Sequence, residues 1–92
     1  MMNLDLVEVE WVDACEMEAG WHEISEIKKH TVCTCRDVGW ILPTPRNDQL
    51  LLIGSFAPKM SDDSDDVDMG GRVTAIPQSW IVKIRKLIYD TT

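Results

Sequence analysis

The cysteine and histidine side chains are the first residues of this sequence that could hold a metal. His30, Cys33 and Cys35 lie close together, and Cys15 and His22 are available upstream. Thiolate and imidazole are the ligands that structural zinc sites use, but those sites usually separate their paired cysteines by about two to four residues. A one-residue gap on a strand points both thiols the same way, about 7 Å apart. We therefore favour cysteines packed in or near the core over a zinc site.

The aspartate-rich segment offers a second possible metal chemistry. Asp62, Ser64, Asp66 and Asp68 have the alternating spacing by which a loop wraps oxygen ligands around calcium. The pattern then fails, because Val67 stands where the sharp-turn glycine belongs and no bidentate glutamate follows. We therefore assign no residue to a metal site and predict no cofactor. A module that binds zinc or calcium remains an alternative.

No catalytic arrangement is recognisable in the chain. A cysteine nucleophile needs a lowered pKa and an oriented base, and neither histidine is matched to a particular cysteine. The sequence also has no glycine-rich phosphate loop and no convincing pair of carboxylates. These observations predict a protein that is not an enzyme and that has no catalytic residues.

Charge restricts the class of partner. The chain carries sixteen acidic and nine basic residues, for a net charge of −7. This excess repels a nucleic-acid backbone over about 8 Å at physiological salt and attracts a basic protein. We expect no direct nucleic-acid binding and a basic protein partner. The acidic residues predicted to bind that partner are Glu16, Glu18, Asp62, Asp63, Asp65, Asp66 and Asp68.

The four tryptophans divide into two pairs. By strand alternation Trp11 and Trp80 belong to inward faces, so we expect both in the core. Trp21 and Trp40 flank glycines at the ends of elements. Because tryptophan is frequent among the residues that dominate binding energy at interfaces, we assign Trp21 and Trp40 to the partner-binding surface.

Cysteine usage and hydropathy indicate the compartment. Three cysteines, two of them separated by one residue, make a poor disulfide framework, so we expect reduced thiols. No apolar run approaches the roughly 18 residues that a membrane span needs, and the first residues lack a basic start followed by an apolar segment. We expect a soluble cytoplasmic protein with no membrane contact.

The apolar pattern predicts a chain that is mainly β. Residues 4–12 alternate as a half-buried strand, and residues 31–42 are rich in β-branched and aromatic types, with Gly39 as an expected bulge or bend. A turn over residues 43–48 leads to a strand over 49–56, apolar on both faces.

The connections and the chain end complete this prediction. After an exposed acidic segment we expect a short amphipathic helix containing Ile24 and Ile27, anchored by Trp21 over an open edge or end of the barrel. Residues 57–71 change sharply to Asp, Ser, Met and Gly, which predicts a flexible acidic loop inside a single domain of residues 1–92.

The segment Gly71-Arg72-Val73-Thr74-Ala75-Ile76-Pro77-Gln78-Ser79-Trp80-Ile81 resembles the end of SH3 domains. There, glycine, an apolar residue, Ile-Pro-x-Ser, an aromatic and an aliphatic residue form the fourth strand, a 3₁₀ turn and the fifth strand. The resemblance covers about a tenth of the chain and implies a small five-stranded SH3-like barrel, with one short helix and a long acidic loop. The sequence has neither the Ala-Leu-Tyr-Asp-Tyr start nor the Trp-Trp pair of proline-peptide-binding SH3 domains.

A second resemblance spans nearly the whole chain. Val9-Glu10-Trp11-Val12-Asp13-Ala14, Gly20-Trp21, Cys35-Arg36-Asp37-Val38-Gly39-Trp40-Ile41 and the stretch from Ile76-Pro77 through Ile84 look like small uncharacterised proteins of tailed bacteriophages. This resemblance implies a phage-encoded protein in the cytoplasm of a bacterial host.

Together these observations predict a non-enzymatic protein-binding module. We expect an acidic inhibitor of a basic or nucleic-acid-handling host protein, acting in host takeover. A structural phage component that forms homo-oligomers is a further alternative, and the oligomeric state is left open by the sequence.

Overall fold

The fold is described by a computed structural model that covers residues 4–59 and 67–88. Five antiparallel strands form one sheet in the order β4-β3-β2-β1-β5, which confirms a mainly β chain. The strands are β1 (Leu6–Asp13), β2 (Cys33–Leu42), β3 (Gln49–Ala57), β4 (Met69–Pro77) and β5 (Ile81–Lys86), with a helix α1 (Ile24–Ile27) and a 3₁₀ turn (Gln78–Trp80). Within the described ranges no pairing joins β4 to β5, so the sheet is open.

Strand β1 has a partner on each edge. It pairs with β2 from Leu6 opposite Trp40 to Asp13 opposite Cys33. On its other edge it pairs with β5, with one register shift between Glu10 and Trp11. The alternation expected for the first strand is confirmed, since its buried residues are Val7 and Val9.

The core lies on one face of the sheet. Its buried cluster consists of Val7, Val9, Leu50, Leu52 and Ile76. Ile53 is also buried, at 3% exposure, but the strand alternation points it to the opposite face. Strand β3 is therefore covered on both faces at its centre, as its continuous apolar run predicts.

Gly39 is not a bulge. The β1–β2 register runs through it without a shift, with Gly39 opposite Val7. A Cβ atom at this position would lie 2.8 Å from the carbonyl oxygen of Ile53. Glycine is required here because the β3 backbone approaches closely, and sequence alone does not reveal such an approach.

Trp11 and Trp80 stack on each other at the edge of the core. Their ring centroids are 6.3 Å apart and their planes are 12° apart. Trp11 packs against the buried cluster and donates its indole N–H to Asp37 Oδ2 at 2.7 Å. Trp80 lies in the 3₁₀ turn rather than in a strand and is 42% exposed, so its expected core position is wrong.

The helix does not cover the sheet. It is only four residues long and contains no buried residue. Trp21 has a relative exposure of 103%, and Ile24 and Ile27 are 66% and 44% exposed. The expected amphipathic cover with Trp21 as its anchor is therefore wrong, since a single turn presents too little apolar surface to pack on a sheet.

The expected loop over residues 57–71 is shorter at both ends. Ala57 pairs with Met69 at the ends of β3 and β4, so residues 69–71 belong to a strand. Asp62, Asp63, Asp65 and Asp66 lie outside the described residues.

Replacing Gly39 with alanine should lower the free energy of unfolding by about 1–3 kcal/mol, because the new methyl group would overlap the β3 backbone. Gly71→Ala is the matched control, since the nearest contact of its Cβ would be Ser55 Cβ at 3.9 Å. Urea denaturation of both variants measures the difference. Equal effects would show that the close approach at Gly39 does not constrain the fold.

Candidate partner-binding surface

The connection between β1 and β2, residues 14–32, protrudes from the sheet and is held at its base. We refer to it as the β1–β2 connection. It leaves and re-enters the sheet at Asp13 and Cys33, which face each other in the ladder. A disulfide joins Cys15 to Cys33, with Cα atoms 5.3 Å apart. His30 Nε2 also donates a hydrogen bond to the carbonyl oxygen of Cys15.

This disulfide corrects the expectation of reduced thiols. Cys33 and Cys35 are the closely spaced pair in the sequence, whereas the disulfide bond forms between Cys15 and Cys33. The β1–β2 register places Asp13 opposite Cys33, which returns the chain beside Cys15. Cys35 is the free thiol, half-buried and opposite Trp11, in agreement with a semi-buried cysteine.

The apolar side chains of the β1–β2 connection face solvent. Trp21 precedes α1, and Ile24 and Ile27 stand three residues apart, which places them on one helical face. All three are exposed. Sequence reasoning identified Trp21 but missed the two isoleucines as surface residues, because their spacing is also typical of a buried helix face.

The acidic side chains that flank these residues in sequence have no partners among residues 4–59 and 67–88. Glu16, Glu18, Glu23 and Glu26 are exposed, and their carboxylates make no hydrogen bond or ion pair with another residue of the described ranges. The local hydrogen bond of His22 goes to the backbone oxygen of Glu18, at 2.7 Å. The glutamates are therefore available for a positively charged partner.

Acidic residues on the sheet are engaged instead. Glu8 accepts a hydrogen bond from Arg85 at 2.8 Å, and Glu10 accepts one from Arg36 at 3.1 Å. Arg85 also lies 3.8 Å from Glu10. Because these charges neutralise one another, most of the carboxylates that have no ion-pair partner among the described residues lie in the β1–β2 connection, which also carries Lys28 and Lys29.

The other described residues predicted to bind a partner lie on different elements. Strands β2 and β3 diverge beyond the pairs at residues 40–42, so the β3–β4 hairpin does not continue beside the start of β2. Asp68, just before β4, belongs to this hairpin, and its carboxylate accepts the backbone N–H of Lys59 at 2.9 Å. Trp40 is half-buried and lies opposite Leu6, at the end of the β1–β2 ladder remote from the connection.

A cleft opens where β2 and β3 diverge. The two strands pair only over residues 40–42 of β2, and beyond them lies a cavity of about 230 Å³. Asp37, Gly54 and Arg72 are among its lining residues, and Arg72 has a positive φ of 54°. The carboxylate of Asp37 already accepts the Trp11 indole N–H.

Metal ligands are not assembled in the described parts of the chain. Over residues 4–59 and 67–88 no group of three or more His, Cys, Asp or Glu side chains is placed to hold an ion. Most of the aspartates of the calcium-like pattern lie outside these ranges.

Comparison of the chain with protein-family models, with curated proteins and with solved structures found no match. Within the same described ranges, none of the helices has the length and apolar character to cross a membrane.

The turn before β3 contains a charged pair that should respond to pH. Arg46 donates two hydrogen bonds to the carboxylate of Asp48, at 3.0 and 2.7 Å, and this interaction lowers the pKa of Asp48. A lowered folded-state pKa contributes stability above the unfolded-state pKa, and this stability is lost as the pH falls through the folded-state value. Arg46→Gln should raise the pKa of Asp48 towards its ordinary value, as measured by NMR titration. An unchanged pKa would show that the pair does not persist in solution.

Proposed function

We propose that this chain is a non-enzymatic protein-binding module that binds a basic protein through the β1–β2 connection. The observation that carries the proposal is the fully exposed indole of Trp21, at 103% relative exposure. A tryptophan buries about 150–250 Å² when a partner covers it, at about 25 cal/mol per Å². Trp21 is therefore suited to act as the apolar anchor of an interface.

Unpaired carboxylates supply charge complementarity around this anchor. Glu16 and Glu18 precede Trp21, and Glu23 and Glu26 follow it. Peripheral charges of this kind mainly accelerate association and reject partners of the same sign. A cationic surface with an apolar recess for Trp21 is the complement that this arrangement requires.

The proposed setting is the cytoplasm of a bacterial host during infection by a tailed bacteriophage. There the module would inhibit a basic or nucleic-acid-handling host protein by occupying its cationic groove. In this proposal the aspartates of the β3–β4 loop extend the acidic surface, and Trp40 adds a second contact. Those aspartates are Asp62, Asp63, Asp65, Asp66 and Asp68.

We also propose that the sheet is an SH3-like barrel. The strand order β4-β3-β2-β1-β5 supports it, and so does the sequence of strand, 3₁₀ turn and strand over residues 69–86. Strand β2 pairs with β1 along residues 33–40 but with β3 only along residues 40–42. A strand that changes partners in this way can pass from one layer of a barrel to the other.

A structural phage component that self-assembles is the second candidate, and the edge strands favour it. Val73 on β4 and Val82 on β5 are 61% and 60% exposed, on strands that each have one unpaired edge within the described part of the chain. Exposed edge strands are common sites of pairing between chains. Light scattering distinguishes the candidates, because a stable homo-oligomer would favour self-assembly and a monomer would favour the binding module.

Replacing Trp21 with alanine should weaken partner binding by roughly 30-fold or more, as expected for a central tryptophan at an interface. The partner is first captured from bacterial lysate with tagged protein and identified by mass spectrometry, and its affinity is then measured by titration. Val82→Ala is the matched control, since it removes an exposed apolar side chain that lies on β5 rather than in the β1–β2 connection. Equal binding by W21A and the wild type would refute the proposed anchor.

Removing two charges from the β1–β2 connection should slow association and weaken its salt dependence. The test variant is Glu16→Gln with Glu18→Gln, measured by stopped flow between about 0.05 and 0.5 M salt. The matched control, Asp5→Asn with Asp48→Asn, removes two carboxylates outside the β1–β2 connection, each of which forms an ion pair. If both double variants slowed association equally, net charge rather than this surface would explain the attraction.

A further inference from the structure

The β1–β2 connection has few noncovalent ties to the sheet. None of its residues is buried, and α1 has neither a buried residue nor a side-chain N-cap. Helices of one turn are marginal in isolation. The ties that remain are the Cys15–Cys33 bond and the hydrogen bond from His30 to the Cys15 carbonyl.

The disulfide is accessible to chemical change. Cys15 and Cys33 are both only half-buried, so a thiolate from solution can approach either sulfur. The bond also lies outside the buried cluster of Val7, Val9, Leu50, Leu52 and Ile76. Its reduction therefore removes a constraint on the connection and leaves the packed core in place.

We propose that the Cys15–Cys33 disulfide is a redox switch for the partner-binding surface, an inference that rests on the proposed function. In the oxidised state the bond orders Trp21 and the neighbouring glutamates. Reduction releases the connection, so the same residues must be ordered again when a partner binds. The oxidised protein is the high-affinity form, so in a reducing cytoplasm the surface stays in its low-affinity form until a disulfide oxidant closes the bond by thiol–disulfide exchange.

The reducing step needs two electrons and two protons, which a dithiol reductant supplies. One of its thiolates attacks Cys15 or Cys33, the bond between them breaks, and a mixed disulfide forms with the attacked cysteine. The second thiol of the reductant then displaces that cysteine. Both cysteines end as thiols, and the reductant ends as an internal disulfide.

The size of the expected effect is limited by the ladder, which already closes the connection where Asp13 faces Cys33. The disulfide therefore fixes the chain at Cys15, just beyond Asp13, rather than closing an open loop. Releasing the backbone of about one residue corresponds to roughly a tenfold change in the ratio of ordered to disordered states. Partner affinity should fall by roughly tenfold on reduction, because the ordering cost is then met during binding.

The first test uses ¹⁵N relaxation on the oxidised and dithiothreitol-reduced protein, without any partner. Order parameters over residues 16–31 should fall from about 0.85 to below 0.6 on reduction, while those of Val9 and Leu52 stay in the rigid range. Cys15→Ser with Cys33→Ser should reproduce the reduced state, and Cys35→Ser should behave as the wild type. Alkylation with mass spectrometry checks the states, with only Cys35 modified in the oxidised protein.

Two outcomes would overturn the switch. Unchanged order parameters in the connection would show that the disulfide does not order it. Loss of order at Val9 and Leu52 as well would show that the bond maintains the whole fold rather than one surface. Alkylation of all three cysteines in protein prepared under oxidising conditions would remove its chemical basis.

Binding measurements separate this inference from the proposed function. If W21A abolishes binding but oxidised and reduced proteins bind equally, the function holds and the switch fails. If reduction disorders the connection while W21A binds as the wild type does, the proposed function fails, and with it the regulatory role of the disulfide.

Discussion

The pairing of β1 on both of its edges is the constraint on which the other features depend. Through it β2 and β5 become neighbours of one strand although they are distant in sequence. The alternating residues Val7 and Val9 then enter the core, where Val9 is fully buried. Without β1, strand β5 would have no partner and the Trp11–Trp80 stack could not form.

The core assembled in this way is small, and this has consequences for the surface. The buried hydrophobic residues of the described chain are Val7, Val9, Leu50, Leu52, Ile53 and Ile76. A domain of this length leaves a large share of its surface in water, so many apolar side chains stay outside. A covalent cross-link therefore contributes a larger share of the ordering in such a chain. The Cys15–Cys33 bond holds the β1–β2 connection, which does not pack on the core.

The ion pairs of the described residues also differ between the sheet and the β1–β2 connection. On the sheet, Glu8 and Glu10 face Arg85 and Arg36 across neighbouring strands, so opposite charges neutralise one another. The glutamates of the connection have no ion-pair partner among the described residues. They lie before and after the exposed Trp21 in the chain.

The sequence by itself determined five strands in approximate bounds, the turn that begins at Pro77 and the acidic character of the first part of the β1–β2 connection. These features depend on the alternation of apolar and polar residues, on turn-forming residues and on local charge, all of which are set by residues close together in the chain. Only the tertiary structure decided the cysteine pairing, the exposure of Trp21 and Ile24, and the close approach that requires glycine at position 39. The cysteine pairing and the close approach at Gly39 depend on how strands pair and pack, and the pattern within one strand does not specify which residue of another will face it. The exposure of Trp21 and Ile24 depends on whether the connection packs on the sheet, which their spacing alone does not decide.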